Sequence, residues 1–120
     1  MRTILDVATD RGSRYAVTDA PASSRAEALA VVAELKKSRR FAKATHNSWA
    51  VLLEGPEGRE PVKADDGESG AGAVILRMLE RAGRVNHVVI VTRWYGGVNL
   101  GGDRFRHVQT AVRAALGEPG

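Results

Sequence analysis

Three carboxylates within one short segment are the side chains in this sequence best spaced for chemistry. Asp65, Asp66 and Glu68 fall within four residues, a density that suits oxygen coordination of a divalent cation. The same carboxylates are favoured before a helix N-terminus, or as ion-pair partners of Arg93 or Arg104. A calcium loop needs acidic side chains at alternate positions and a later bidentate glutamate, which this spacing lacks. We therefore assign no metal ligands.

His46 and Asn47 begin an apolar segment, and an imidazole can serve as a general base near neutral pH. No serine is clearly paired with His46 as a nucleophile, and the chain contains no cysteine. The alternative is that both side chains hydrogen-bond neighbouring loops, as buried polar groups usually do. His107 falls one turn into a predicted helix, where surface or helix-end chemistry is expected. We assign no catalytic residue.

A loop with four glycines, at residues 96–102, joins an apolar segment to a helical one. Backbone amides beside a helix N-terminus form a natural anion site, but this loop matches neither common nucleotide-binding glycine motif, and Asp103 repels anions. We prefer a shaped recognition surface, because Trp94, Tyr95 and nearby arginines are of the types that anchor interfaces. The alternative is that both aromatic rings cover the core.

A basic cluster follows the first predicted helix, and its members are Lys36, Lys37, Arg39, Arg40 and Lys43. Cationic side chains here stabilise a helix C-terminus through its dipole, and charge runs are usually solvated. The other interpretation is a patch that binds phosphates or an acidic protein. The net charge of +4 permits acidic partners, but it is far from that of a histone-like basic arm.

The apolar pattern predicts the elements that must position these residues. Predicted strands are 4–8, 14–20, 46–53, 61–64 and 85–92. Predicted helices are 25–37, after a capping box of Ser24 and Glu27, then 71–82 and 105–116. This order indicates an α+β fold, a two-layer sandwich of a mixed, mostly antiparallel sheet with helices on one face.

The bulk properties suit one domain of 120 residues, with a core at about 14–116 and a flexible tail at 117–120. The absence of cysteine excludes disulfides and thiolate chemistry and fits a cytoplasmic protein. The N-terminus lacks the apolar core of a signal peptide, and no apolar run approaches the ~20 residues of a membrane span. We expect no cofactor and no membrane partner, and the sequence leaves the oligomeric state open.

Three segments, in order, resemble the IMPACT family, also called uncharacterised protein family twenty-nine. They are Thr-His-Asn-Ser-Trp at 45–49, Asp-Asp-Gly-Glu at 65–68 and Thr-Arg-Trp-Tyr-Gly-Gly-Val-Asn-Leu-Gly at 92–101. The continuation Gly-Asp-Arg-Phe-Arg-His is more similar to eukaryotic members than to the commoner bacterial ones. The resemblance covers about 14–116 and implies the fold of the second domain of small-subunit ribosomal protein five.

The resemblance implies a non-catalytic regulatory binding domain, linked to translation or stress regulation through a protein partner. Eukaryotic relatives inhibit the kinase of general amino-acid control by competing for its ribosome-associated activator. Those relatives carry an additional N-terminal partner-binding domain and larger bacterial members an additional C-terminal one. Because 120 residues leave no room for either, we do not expect that kinase pathway to transfer. The alternatives are an RNA- or ribosome-binding module, with an aromatic ring stacking on a base, and a hydrolase that uses the carboxylates.

The predicted binding surface combines the polar connectors, which we expect to meet at one end of a helix-backed sheet. Its residues are His46, Asn47, Asp65, Asp66, Glu68, Arg93, Trp94, Tyr95, Gly96, Gly97, Arg104 and His107.

Overall fold

The computed structural model of the chain describes residues 1–117, which contain five strands and four helices. In chain order they are β1 (Arg2–Asp10), β2 (Ser13–Pro21), α1 (Arg25–Lys36), α2 (Arg39–Ala42), β3 (His46–Gly55), β4 (Gly58–Ala64), α3 (Ala71–Ala82), β5 (His87–Trp94) and α4 (Asp103–Leu116). Of the tail predicted at 117–120, only Gly117 lies within the described residues, and it takes a left-handed conformation at the C-cap of α4. None of the helices in this part of the chain combines the length and apolar character needed to cross a bilayer.

All five strands join one antiparallel sheet in the order β1-β2-β5-β3-β4. The α+β class is confirmed, and the sheet is antiparallel throughout rather than mixed. Because neighbouring strands run in opposite directions, the C-terminal ends of β1, β4 and β5 lie at the same end of the sheet as the N-terminal ends of β2 and β3. The connectors that contain the sequence motifs all lie at this end.

Helices cover both faces of the sheet, which corrects the predicted arrangement with helices on one face. Val89 and Val91 of β5 share a core cluster with apolar residues of α3 and α4. Val88 and Ile90 point to the other face and share a cluster with residues of α1 and α2. The physical reason is the unbroken apolar run of β5, which is typical of a strand buried on both sides.

The short helix α2 was not predicted from the sequence. The carbonyl of Ser38 accepts hydrogen bonds from the amides of Phe41 and Ala42 at 3.1 and 3.0 Å, and the Phe41 ring is buried. Four residues with one apolar anchor are too few for a periodic signal. As a result, Arg39 and Arg40 belong to a separate helix and do not form the end of α1.

Candidate binding surface at one end of the sheet

The polar connectors meet at one end of the sheet, which we call the motif end. It consists of the C-terminal ends of β1, β4 and β5 and the N-terminal ends of β2, β3, α3 and α4. His46 and Arg93 lie opposite each other in the pairing of β3 with β5. Glu68, 25 residues before Arg93 in the chain, contacts both side chains. The carboxylate segment and the aromatic-glycine segment are therefore in direct contact.

A buried ion pair connects the two segments. Glu68 and Arg93 are each 5% exposed, and Nη1 of Arg93 donates to Oε1 and Oε2 of Glu68 at 2.9 and 3.1 Å. Nε2 of His46 lies 3.1 Å from Oε2 of Glu68, and its Nδ1 lies 2.9 Å from the carbonyl oxygen of Asp66. Because an unpaired buried charge costs several kcal/mol, each of the three side chains fixes the position of the others.

Asp65 serves the end of a helix. Its two carboxylate oxygens accept hydrogen bonds from the amides of Gly70 at 3.1 Å and Gly72 at 2.8 Å, at the start of α3. These backbone hydrogen bonds, that of Gly70 above all, lower the pKa of Asp65 below its ordinary value. Among residues 1–117, no group of three or more histidine, aspartate or glutamate side chains is arranged to hold a metal ion. The helix-end interpretation thus describes Asp65.

Asp66 and Asn47 connect the same loop to the sheet. Asp66 has a positive φ of 51°, and its Oδ2 accepts from the amide of Asn47 at 2.7 Å. The Asn47 side chain donates to the carbonyl of Phe41 at 3.0 Å and accepts from Oγ1 of Thr92 at 2.7 Å. Asn47 is 3% exposed, so it lies beneath the predicted surface and holds α2 against β5.

Trp94 and Tyr95 have different environments. One ring covers the core and the other is exposed, and these were the two alternatives predicted from the sequence. Trp94 packs against the ring of Phe41 at a centroid distance of 5.2 Å, and its Nε1 donates to the carbonyl of Arg40 at 3.1 Å. Tyr95 is 52% exposed, and its amide donates to Oγ1 of Thr45 at 2.9 Å. Trp94 therefore covers the core, whereas Tyr95 presents its ring to solvent.

The glycines set the path of the loop at 95–102, which we call the glycine loop. The amide of Gly96 donates to Oγ of Ser13 at 3.1 Å, and a Cβ at position 96 would lie 2.0 Å from the carbonyl carbon of Gly12. Only glycine allows the loop to pass this close to the turn between β1 and β2. Gly97 has a φ of 92°, a left-handed conformation that other residues rarely adopt.

The N-terminus of α4 does not form a phosphate cradle. The amides of Asp103, Arg104 and Phe105 donate to the carbonyls three residues earlier. The carboxylate of Asp103 does not cap the helix, and instead Oδ2 of Asp103 accepts from Nη2 of Arg11 at 2.9 Å. Arg104 donates to the carbonyls of Gly101 and Ser69 at 3.1 and 3.3 Å, so it connects the glycine loop with the carboxylate segment.

His107 and Tyr15 belong to the interior of the motif end. The ring of His107 lies 5.2 Å from that of Tyr15, and its Nε2 lies 2.8 Å from Oδ2 of Asp10. The hydrogen bond from Arg11 and then that from His107 lower the pKa of Asp10 to about 2. Burial raises the pKa of Tyr15 to about 12. The surface role expected for His107 does not match its position, because its side chain is only 12% exposed.

Four residues of the motif end were missed by sequence reasoning: Asp10, Ser13, Tyr15 and Thr45. They lie in or beside strands, and no local pattern identifies their partners, which follow from the sheet order. Ser13 is completely buried, and its hydroxyl contacts both Nη2 of Arg93 at 3.4 Å and the amide of Gly96. Of these four residues, only Thr45 could have been identified from the sequence, because it is the first residue of the segment at 45–49 that resembles the IMPACT family.

The basic cluster is solvent-exposed and borders Trp94 and Tyr95. Lys36, Lys37, Arg39, Arg40 and Lys43 are all exposed. Lys37 forms an ion pair with Glu34 at 2.9 Å, and the guanidinium of Arg40 lies 5.0 Å from the centre of the Trp94 ring. For Lys36, Arg39, Arg40 and Lys43, no carboxylate of residues 1–117 lies within ion-pair distance. Lys36 lies in the last turn of α1, and Arg39 and Arg40 lie in that of α2, so the helix-end interpretation describes these three, although none of them has an ion-pair partner among residues 1–117.

Comparisons with known proteins agree with the three segments. The family model described as the Impact N-terminal domain matches residues 11–116. The chain is 34% identical to the protein IMPACT homolog of Saccharomyces cerevisiae over 116 residues, which are 95% of this chain and 45% of that protein. It is 37% identical to the protein IMPACT of Mus musculus over 112 residues, 92% of this chain and 35% of that protein. The chain thus spans less than half the length of these relatives.

Two solved structures resemble this fold. A crystal structure of a hypothetical protein superposes with a TM-score of 0.83 at 26% identity, covering 95% of this chain and 55% of that one. The structure of the two-domain translational regulator Yih1 superposes with a TM-score of 0.59 at 31% identity, covering 95% of this chain and 43% of that one.

Proposed function

Since this chain belongs to the Impact N-terminal domain family, we propose that it is a non-catalytic regulatory domain that acts by binding a protein partner in the cytoplasm. The proposed role is in translational control and in the stress responses connected with it. Support comes from Yih1, a translational regulator to which the chain is 31% identical over 95% of its own length.

The observation that carries this proposal is the layered construction of the motif end. In the inner layer, Glu68 binds both Arg93 and His46, and Asp65 and Asp66 bind backbone amides. In the outer layer, Tyr95 and Val98 are 52% and 43% exposed. An aromatic anchor on a preorganised support favours protein recognition, because less conformational freedom is lost on binding.

A second candidate, an RNA- or ribosome-binding module, is favoured by the exposed basic side chains of α2. Such cations bind the phosphate groups of a nucleic acid, and a base can stack on the ring of Tyr95. An electrophoretic mobility shift with single-stranded RNA tests this candidate, since phosphate binding weakens steeply as salt rises. The absence of a shift at low salt removes it. The hydrolase alternative has no comparable support, because Glu68 is buried in an ion pair and Asp65 and Asp66 accept hydrogen bonds from backbone amides.

Site-specific photo-crosslinking in cells tests the proposed protein-binding role. A photoreactive phenylalanine analogue replaces Tyr95 in one variant and Leu29 in a matched control. Leu29 is 49% exposed on α1, so the two positions are equally accessible. We expect a discrete adduct with a component of the translation apparatus or its regulators at position 95 alone. Identical adducts at both positions, or none at position 95, would contradict the proposal.

A further inference from the structure

We propose that the partner contacts this domain through a short acidic segment that carries an apolar side chain, and that this segment lies on α2 and Tyr95. The inference rests on the proposed function and names the chemistry of the partner. The binding surface consists of Arg39, Arg40, Lys43 and Tyr95, which we call the α2–Tyr95 surface.

Positive charge without an internal counterpart is the first observation. Arg39, Arg40 and Lys43 are exposed, and no carboxylate of residues 1–117 pairs with them. Arg77 and Arg81 of α3 are likewise exposed and in no ion pair among residues 1–117, so a missing pair does not by itself distinguish α2. What distinguishes α2 and its C-cap Lys43 is that three such cations lie beside an exposed aromatic ring, and carboxylates are their complement in a protein partner.

The second observation is that the helix which carries these cations is held in place. The carbonyl of Arg40 accepts from Nε1 of Trp94 at 3.1 Å, and its guanidinium lies over the Trp94 ring. Phe41, between Arg40 and Lys43, is 7% exposed and anchors α2 to the sheet. Cations on an anchored helix lose less freedom when they bind a partner than cations on a mobile loop do.

An exposed apolar group beside the cations is the third observation. The amide of Thr45, two residues after Lys43, donates to the carbonyl of Arg93 at 2.9 Å, and Oγ1 of Thr45 accepts from the amide of Tyr95. These bonds place Tyr95 next to the end of α2. The buried Arg93 guanidinium lies 5.6 Å from the centre of the Tyr95 ring, so it supports the inward side and leaves the outward side free. An apolar side chain of the partner would pack on that outward side.

An exposed carboxylate at the same end favours an acidic protein segment over a nucleic acid. Asp66, whose carbonyl oxygen contacts His46, is exposed and is in no ion pair among residues 1–117. A nucleic acid carries a phosphate at every nucleotide, so a strand that extends from α2 towards His46 meets this carboxylate. A peptide carries negative charge only where its sequence places it and can confine that charge to α2.

Fluorescence anisotropy of the purified full chain tests the inference. The probe is a labelled peptide in which two leucines are flanked by glutamates, and the matched peptide has glutamine in place of glutamate. We expect saturable binding of the glutamate peptide that weakens about tenfold in the Arg39→Glu/Lys43→Glu variant, and also about tenfold in Tyr95→Ala. The glutamine peptide should bind at least tenfold more weakly, because it lacks the carboxylates that pair with the cations of α2.

The control variant is Arg77→Glu/Arg81→Glu. It makes the same change in net charge at the same i,i+4 spacing, on exposed positions of α3. We expect the control to bind within about twofold of the unaltered chain, since remote surface charges are screened at physiological salt. Circular dichroism checks that every variant is folded.

Three outcomes would overturn the inference: no saturable binding of the glutamate peptide, equal weakening in the α2 and α3 variants, or tighter binding of oligouridine than of the peptide. The last outcome assigns the surface to nucleic acid. Failure of the peptide together with a discrete crosslink at position 95 removes only the acidic class of partner. A failed crosslink removes the proposed function itself.

Discussion

At the scale of single residues, the motif end depends on side chains whose partners lie far away in sequence. Glu68 and Arg93 form a buried ion pair, and Gly96 lies against the backbone of Gly12. The ion pair holds the end of β5 from which the glycine loop starts, and the close approach of Gly96 holds the loop against the turn between β1 and β2. The stability of the loop should therefore respond strongly to small changes at these residues and weakly to changes at exposed ones.

We expect Glu68→Gln to lower the free energy of unfolding by about 3–5 kcal/mol, because it leaves the Arg93 charge buried without its counterion. Urea denaturation measures the change. Glu54→Gln is the control, since the pair of Glu54 with Arg59 is about half exposed, and it should cost about 0–1 kcal/mol. Equal effects of the two substitutions would show that the buried pair has no special role.

Gly96→Ala should destabilise the protein by about 3 kcal/mol, because its Cβ would overlap the Gly12 backbone, which cannot move as a flexible side chain can. Gly102→Ala is the matched control. Gly102 has a φ of −67°, and no atom lies within 4 Å of an added Cβ. The control should be neutral or raise stability by about 0.4–1 kcal/mol. Thermal melts of both variants decide the matter, and an unchanged Gly96→Ala melt contradicts the close approach.

At the scale of elements, two helices owe their positions to residues outside them. Asp65 caps α3 from six residues before its first residue, Ala71, and Asn47 of β3 holds α2 through the carbonyl of Phe41. Such caps connect the carboxylate segment to the core.

We expect Asp65→Ala to lower the free energy of unfolding by about 1–2 kcal/mol near neutral pH, as loss of a helix cap does. Because the folded state lowers the pKa of Asp65, its stabilising effect is present above the unfolded value of ~3.9. It is lost as pH falls through the folded pKa. The difference between variant and unaltered chain should therefore shrink below about pH 4 in urea titrations.

The exposed Glu57→Ala variant controls for the general effect of removing a carboxylate, and it should match the unaltered chain at every pH. A constant deficit of Asp65→Ala across the acidic range would contradict the capping role of the ionised carboxylate.

At the scale of the whole molecule, β5 is common to both core layers. Val89 and Val91 belong to one cluster, and Val88 and Ile90 to the other. The radius of gyration of 13.4 Å matches the roughly 13 Å expected of a compact domain of this length. These features support the proposal that the chain folds as one domain.

Both layers should accordingly unfold together. Fluorescence of Trp49 and Trp94 reports the layer of α1 and α2, whereas far-UV circular dichroism also reports α3 and α4. We expect the two urea transitions to coincide. Leu35→Ala and Leu79→Ala, one in each layer, should each lower the free energy of unfolding by about 2–5 kcal/mol, and both signals should report the same decrease. A fluorescence transition separated from the circular dichroism transition would indicate two independent units.

Much of the local structure could be predicted from the sequence, because helix caps, turns and apolar periodicity act between residues that are close along the chain. The helix predicted at 71–82 has the observed bounds. At the start of α1, Oγ of Ser24 accepts from the amide of Glu27 as predicted, whereas Oε1 of Glu27 accepts from the amide of Ser23 and not from that of Ser24. The strands were located to within about three residues at each end, although β5 begins at His87, two residues after its predicted start. The sequence also indicated the contact between the carboxylate segment and Arg93, as one of several alternatives.

Only the tertiary structure decided which alternative each residue follows. Sheet order brings His46 opposite Arg93, and this pairing assigns Glu68 to a buried ion pair and leaves Asp65 to cap α3. The second helical layer separates Trp94, which packs on Phe41, from Tyr95, which faces solvent. The physical reason is that strand pairing and burial on a given face depend on elements distant in sequence, whereas residue type and spacing encode only local conformation.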